Sequence, residues 1–248
     1  MQSRHDLVFD HLRAEQEQIE EILSGLTESD WHSASGAPGW TVADVVLHLA
    51  QTEEVVAASA AGDEGPLGWG IGSASVDSVV DRWVREERAA PSEVFRRWRE
   101  ARRNALAGLT QADPQARLRW VKTPLRPATL ATTRLAEHWA HALDITGPLG
   151  IPYPDTERLW HIAWLGHRTL PYAFELTGET SPDIFCDLVA PDGTAWRFGP
   201  PDAESTISGP AGAFCRVGAR RLGAEDSGLV TQGQYGATAL RVLRNYAA

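Results

Sequence analysis

The segment Arg134–Asp144 reads Arg-Leu-Ala-Glu-His-Trp-Ala-His-Ala-Leu-Asp; it holds neither glycine nor proline and is rich in alanine and leucine. Helix is its natural state. Residues four apart on a helix point the same way, with Cβ atoms roughly 5–6 Å apart. Glu137 and His141 have that spacing, and a carboxylate oxygen and an imidazole nitrogen so placed can reach one metal ion at ~2.0–2.2 Å each. Leu130, Arg134, Glu137, His141 and Asp144 fall on one arc, with Leu135, Trp139 and Leu143 opposite. The helix thus has an apolar stripe to bury and a second stripe that gathers ionisable groups. The same spacing also describes a solvated surface or a weak ion pair, and His138 could converge with His141 from three residues away. A third ligand elsewhere has to decide.

Three further amphipathic patterns accompany this one, and together they predict an antiparallel four-helix core at about 5–26, 41–61, 92–109 and 128–146. The first is ended by Gly25 and the Thr27–Asp30 cluster. Ser35–Gly39 is a loop by composition. Trp40 precedes a cap, and Thr41 and Asp44 stand in capping-box spacing. Val42, Val45, Val46, Leu49 and Val56 then share one arc with His48 at its edge. Such a histidine is ordinarily tucked into a core with one hydrogen bond. Residues 62–75 are a Gly-rich loop without the spacing of a phosphate cradle, followed by a helix at 76–89. Ser92 is the expected N-cap of the next helix. Phe95, Trp98, Leu106 and Leu109 form its buried stripe, and Arg96, Arg97, Arg99, Arg102 and Arg103 form a solvated basic face that could also attract an anion. A connection with a short extended piece at Leu118–Val121 leads to the last helix, stopped by Gly147-Pro148.

The Pro- and Gly-rich run Gly147–Pro154 marks the domain boundary, giving residues 1–150 and 151–248. Beyond it a helix at 156–177 is interrupted by Pro171. Strands follow at Ile184–Ala190 and Ala195–Phe198, joined by the hairpin signal Pro191-Asp192-Gly193-Thr194. A third strand at Ser205–Gly209, a helix at 210–222, a fourth strand at Leu229–Thr231 and a helix at 236–246 complete a small α+β domain.

A net charge of -10 over 248 residues argues against nucleic acid, which needs a basic face, and against an anionic membrane surface. No apolar run approaches the roughly 18–20 residues of a membrane span, and the N-terminus lacks a signal-peptide core. Cys186 and Cys215 have neither redox nor zinc-finger spacing and read as small buried hydrophobes. A cytoplasmic protein is expected.

Two stretches together carry a resemblance. Gly39-Trp40-Thr41-Val42-Ala43-Asp44-Val45-Val46-Leu47-His48-Leu49 resembles the second-helix signature of the DinB/YfiT-like superfamily. More closely, it is similar to the N-terminal domain of mycothiol-dependent maleylpyruvate isomerases. Arg134, Glu137, His141 and Asp144 match the later helix of that family, whose Glu and His share a metal with the His of the first signature. The resemblance implies a DinB-like helical bundle over about residues 5–147, a divalent ion (zinc by preference) on His48, Glu137 and His141, and mycothiol as thiol cosubstrate. His138 departs from the pattern and could substitute for Glu137 or act from behind the ligands. The segment His161–Pro171 resembles an actinobacterial subgroup described only as metal-binding proteins, which leaves the substrate open.

Two histidines and one carboxylate leave open coordination positions, as in catalytic sites, although iron, nickel, cobalt or manganese would also accept them. A coordinated thiol is deprotonated outright. Such a thiolate can add to an activated double bond, permit rotation and leave, or be transferred to an electrophile. The expected function is therefore a thiol-dependent isomerase or S-transferase acting on a small electrophilic molecule. Arg134 would orient substrate carboxylates or pair with Asp144. His161, with Trp160 and Trp164, would form a wall at a domain seam. Two rivals remain: a non-catalytic metal- or small-molecule-binding module, and a non-haem iron oxygenase, which shares the ligand set but usually sits in a β-barrel.

Overall fold

The computed structural model describes residues 7–63, 76–121 and 123–245; most of the Gly-rich loop expected at 62–75 lies outside them. The chain divides between Tyr153 and Pro154 into two compact units. Among the described residues the first holds six helices: α1 (Val8–Ser24), α2 (Glu28–His32), α3 (Val42–Ala60), α4 (Val76–Glu86), α5 (Pro91–Gln111) and α6 (Pro127–Leu149). The four long ones form the bundle, with α3 against α5 and α6, and α1 against α6 and α5. Val42, Val45, Val46, Leu49 and Val56 are all fully buried, so the apolar arc of α3 is the bundle's spine.

Local chemistry sets the helix ends. The Thr41 hydroxyl accepts from the Asp44 N–H at 3.2 Å, and the Asp44 carboxylate accepts from the Thr41 N–H at 2.9 Å. Two of the N–H groups left over at the start of the helix are thereby satisfied. Thr27 and Asp30 do the same for α2. The cluster expected only to end α1 therefore also starts a new helix. In α5 the N-cap is Ala90 rather than Ser92, because Pro91 fits the first helical turn, where its missing N–H costs nothing. Leu118 and Leu125 exchange both backbone hydrogen bonds at 2.9 Å, closing the loop before α6.

The end of α6 differs from expectation. Gly147-Pro148 does not stop the helix, which continues to Leu149 and ends at Gly150 in the left-handed region. A proline inside a helix leaves the carbonyl four residues earlier without its donor. That carbonyl belongs to Asp144, and it accepts instead from the Gly36 N–H at 2.8 Å. A side chain at Gly36 would come within 3.0 Å of the Asp144 Cα and Oδ1. The Ser35–Gly39 loop is thus docked against the last turns of α6.

The second unit opens with α7 (Leu159–Arg168) and α8 (Leu170–Glu175), separated at Thr169, where Pro171 was expected to interrupt a single helix. Strands β1 (Ile184–Val189), β2 (Ala195–Phe198), β3 (Ser205–Pro210) and β4 (Val230–Gln232) form one sheet in the order β2-β1-β3-β4. β1 pairs antiparallel with β2 and parallel with β3, and β3 pairs antiparallel with β4. Gly193, at φ 82°, makes the hairpin turn between β1 and β2. Helices α9 (Ala211–Gly218) and α10 (Gly236–Val242) complete the unit. The fold is a mainly α bundle with a small α+β C-terminal part.

Candidate metal centre

His48 on α3 and Glu137 and His141 on α6 each offer one ligand atom, and these atoms lie within 4.8 Å of one another. Glu137 Oε2 is 3.6 Å from His48 Nε2 and 3.4 Å from His141 Nε2. Two bonds of ~2.1 Å at a tetrahedral angle place their donor atoms roughly 3.4 Å apart, so both distances suit a common ion to within a few tenths of an ångström. The two rings meet edge to face at 4.9 Å between centroids.

Charge and hydrogen bonding also suit a cation. The Asp144 carboxylate accepts from His141 Nδ1 at 2.9 Å, which orients the ring and turns Nε2 toward Glu137. Burial opposes charge on His141, yet Asp144 and Glu137 together raise its pKa. Burial likewise opposes ionisation of Glu137, and the hydrogen bonds to His141 and His48 overcome it, holding this carboxyl well below its ordinary range. A divalent ion would take the place of the His141 proton between the two carboxylates. His48 differs: burial lowers its pKa, with Glu137 only partly opposing, and its Nδ1 is buried with no hydrogen-bond partner among the described residues. Trp40 covers both imidazoles, 5.3 Å from the His48 ring and 6.4 Å from that of His141, and its indole N–H is anchored on Asp81 at 3.0 Å.

Other sequence candidates take different places. Arg134 is 1% exposed; its Nε donates to Glu53 Oε1 at 2.7 Å and its Nη2 to the Thr52 hydroxyl at 2.7 Å. The alternative ion pair with Asp144 is not formed, because ten residues along an α-helix span about 15 Å. His138, 0% exposed, does not substitute for Glu137. Its Nδ1 donates to the Arg134 carbonyl at 2.9 Å and its Nε2 accepts from the Trp98 indole at 3.3 Å, while burial pushes its pKa down to about 3. It is a neutral core histidine. His161 is buried on α7 in the second unit, edge-on to Trp160 at 5.3 Å, and Trp160 also packs on Phe198 of that unit at 5.9 Å. Trp164, on the same helix, is partly buried.

Trp40 and Glu53 are not among the site residues expected from the sequence. Glu53 was visible in principle. It lies four residues after Leu49 and three before Val56, on the apolar arc of α3, where an acid needs a buried cation.

A family model described as the mycothiol maleylpyruvate isomerase N-terminal domain matches residues 12–146. Two uncharacterized proteins, from two strains of Mycobacterium tuberculosis, are each 35% identical over 209 residues, covering 82% of this chain and 81% of theirs. Crystal structures of the mycothiol-dependent maleylpyruvate isomerase and of a histidine-to-alanine mutant of it align with TM-scores of 0.62 and 0.63. They are 14% and 12% identical, with 92% of this chain and 93% of theirs covered. At that identity the likeness speaks for the fold.

Proposed function

The chain belongs to the mycothiol maleylpyruvate isomerase family, and from that membership we propose that it is a metal-dependent thiol enzyme, an isomerase or S-transferase for a small electrophile. The observation that carries this reading is the convergence of His48, Glu137 and His141. These three would hold a divalent ion, zinc by preference for two imidazoles and a carboxylate. When bound, such an ion supplies Lewis acidity and lowers the pKa of a coordinating thiol, for which mycothiol is the family's cosubstrate. Asp144 positions His141 through Nδ1. Trp40, held by Asp81, keeps water from one side of both imidazoles. Arg134, committed to Glu53, stabilises the carboxylate of Glu137 through its charge rather than by gripping substrate.

No described helix is long and apolar enough to cross a membrane. Cys186 and Cys215 are free and buried, in keeping with the reducing cytoplasm where we place the protein.

Metal analysis of the purified protein followed by a thiol-dependence assay tests this reading. The metal-loaded protein, given mycothiol and a panel of maleyl-type and epoxide electrophiles, should turn over at least one of them only when the thiol is present. No thiol-dependent turnover, together with no thiol-induced change in the spectrum of the cobalt-substituted protein, would favour a binding module instead.

A further inference from the structure

The two imidazoles of the metal centre are held in different ways. His141 is oriented by the hydrogen bond from its Nδ1 to the Asp144 carboxylate. His48 turns Nε2 toward Glu137 at 3.6 Å, which leaves Nδ1 to orient its ring, and that atom is buried with no hydrogen-bond partner among the described residues. A ligating histidine ordinarily donates its second nitrogen to a carboxylate, a carbonyl or water, and that bond sets the direction of the ring. For His48 the task falls to packing. Its ring meets two others: that of His141, edge to face at 4.9 Å between centroids, and that of Trp40 at 5.3 Å, inclined by 51°.

Trp40 can hold a ring because it is itself held at both ends. Its backbone N–H donates to the Ala37 carbonyl at 3.1 Å, and its carbonyl accepts from the Ser35 N–H and hydroxyl, both at 2.9 Å. The same loop is fastened to α6 by the bond from Gly36 to the Asp144 carbonyl. At the far end the indole N–H donates to Asp81 Oδ1 on α4 at 3.0 Å, while Asp81 Oδ2 accepts from Arg85 Nε at 2.8 Å. Both carboxylate oxygens are thus committed. α4 is in turn tied to α3, the helix that carries His48. Val84 is fully buried, Arg88 grips Asp44 with two hydrogen bonds of 2.8 Å, and Gln51 donates to Glu87 at 3.1 Å. Asp81 therefore stands at a fixed place beside α3, and the indole presents one fixed face to His48.

We infer that Trp40 and Asp81 are positioning residues of the metal centre: Asp81 fixes the indole, and the indole gives the His48 ring the orientation that a hydrogen bond gives to His141. The inference rests on the ligand set proposed above and adds to it two residues that act through a ligand. Its consequence is for affinity. Without the indole the His48 ring turns among several orientations, and ordering it at each binding event costs conformational entropy.

Titration of the metal-free full chain with cobalt(II), in competition with a chromophoric chelator and with the visible cobalt bands recorded alongside, tests the inference. Trp40→Ala and Asp81→Ala should each bind cobalt about tenfold or more weakly than the parent. Each should also alter the cobalt bands, which report ligand geometry and which a loss of fold stability alone leaves as they are. Asp81→Asn, whose amide oxygen still accepts from the indole, should bind as the parent does. Because Asp81 acts through Trp40, the double variant Trp40→Ala/Asp81→Ala should bind no more weakly than Trp40→Ala alone. The Asp81 side chain is 41% exposed, so Asp81→Ala carries the test even if Trp40→Ala fails to fold. Parent affinity and parent bands in the alanine variants, additive losses in the double variant, or an Asp81→Asn loss equal to that of Asp81→Ala would overturn the inference. If His141→Ala loses cobalt in the same titration, the ligand set survives that outcome. A parent chain that binds no cobalt would overturn the ligand set, and the inference with it.

Discussion

Replacing Arg134 with methionine strands a buried carboxylate. Arg134 Nε and Glu53 Oε1 are 2.7 Å apart, and the two side chains are 1% and 0% exposed. Unit charges ~4 Å apart attract by about 4 kcal/mol at an effective dielectric of ~20, and removing one member of a buried pair costs about 3–5 kcal/mol because the other is left charged and unpaired. Glu53 has no reserve: its Oε2 already lacks a hydrogen-bond partner. Arg134→Met should therefore destabilise the helical unit by about 3–5 kcal/mol, a large part of an ordinary domain's net stability. Adding Glu53→Gln removes the charge that was stranded, and the double variant should return to within about 1–2 kcal/mol of the parent, the scale of a lost buried hydrogen bond. Burial raises the pKa of Glu53 and Arg134 opposes that rise, so without Arg134 the rise is larger. The folded variant then binds this proton more readily than the unfolded chain. Its stability is greatest below the unfolded carboxylate range and declines as pH rises from there through the raised folded value. The penalty of Arg134→Met should accordingly shrink as pH falls from about 7 toward 5. Urea unfolding of the four-member cycle, followed by far-UV circular dichroism, reads all of this. A penalty under about 1 kcal/mol, or one that Glu53→Gln fails to relieve, would refute the argument.

The metal centre and its supports give three more expectations. His141→Ala should remove about half or more of the bound divalent metal by elemental analysis, since only two of the three ligands remain; full occupancy in that variant would defeat the ligand assignment. Asp144→Asn keeps the shape but loses the carboxylate on His141 Nδ1, so competition with a chelator should show metal affinity lower by about 10–100-fold, and an unchanged affinity would remove Asp144 from the site. Arg88 and Thr41 hold the Asp44 pKa below its ordinary value against burial, which pushes it up. The stabilisation from ionised Asp44 is therefore complete above its unfolded pKa and is lost as pH falls through the depressed folded value. The stability gap between the parent and Asp44→Asn, measured in urea at about pH 6 and pH 3, should be smaller at the lower pH.

Much of this architecture was legible because it rests on local rules. The four long amphipathic patterns, the capping box at Thr41 and Asp44, and the hairpin at Gly193 depend on residues close in sequence. What was not legible depends on partners far along the chain. Gly147-Pro148 has the signature of a helix stop, yet α6 passes through it because Gly36 supplies a donor to the Asp144 carbonyl from over a hundred residues away. Glu137, His138 and His141 are indistinguishable as a sequence; only the Trp98 indole and the Arg134 carbonyl, which occupy both nitrogens of His138, assign that ring to the core. Polar residues on apolar arcs are the recurring exception. Gln16 stands between Leu12 and Ile19, Glu53 between Leu49 and Val56, and Arg102 between Trp98 and Ala105, each at helical spacing within its buried stripe. Amphipathic reading treats such residues as noise. Burying them without partners would cost more than their neighbours gain, so each one predicts an opposite polar group on a facing helix. Glu53 finds Arg134 and Gln16 finds His138; Arg102 finds Glu20 with one hand and leaves Nε unanswered.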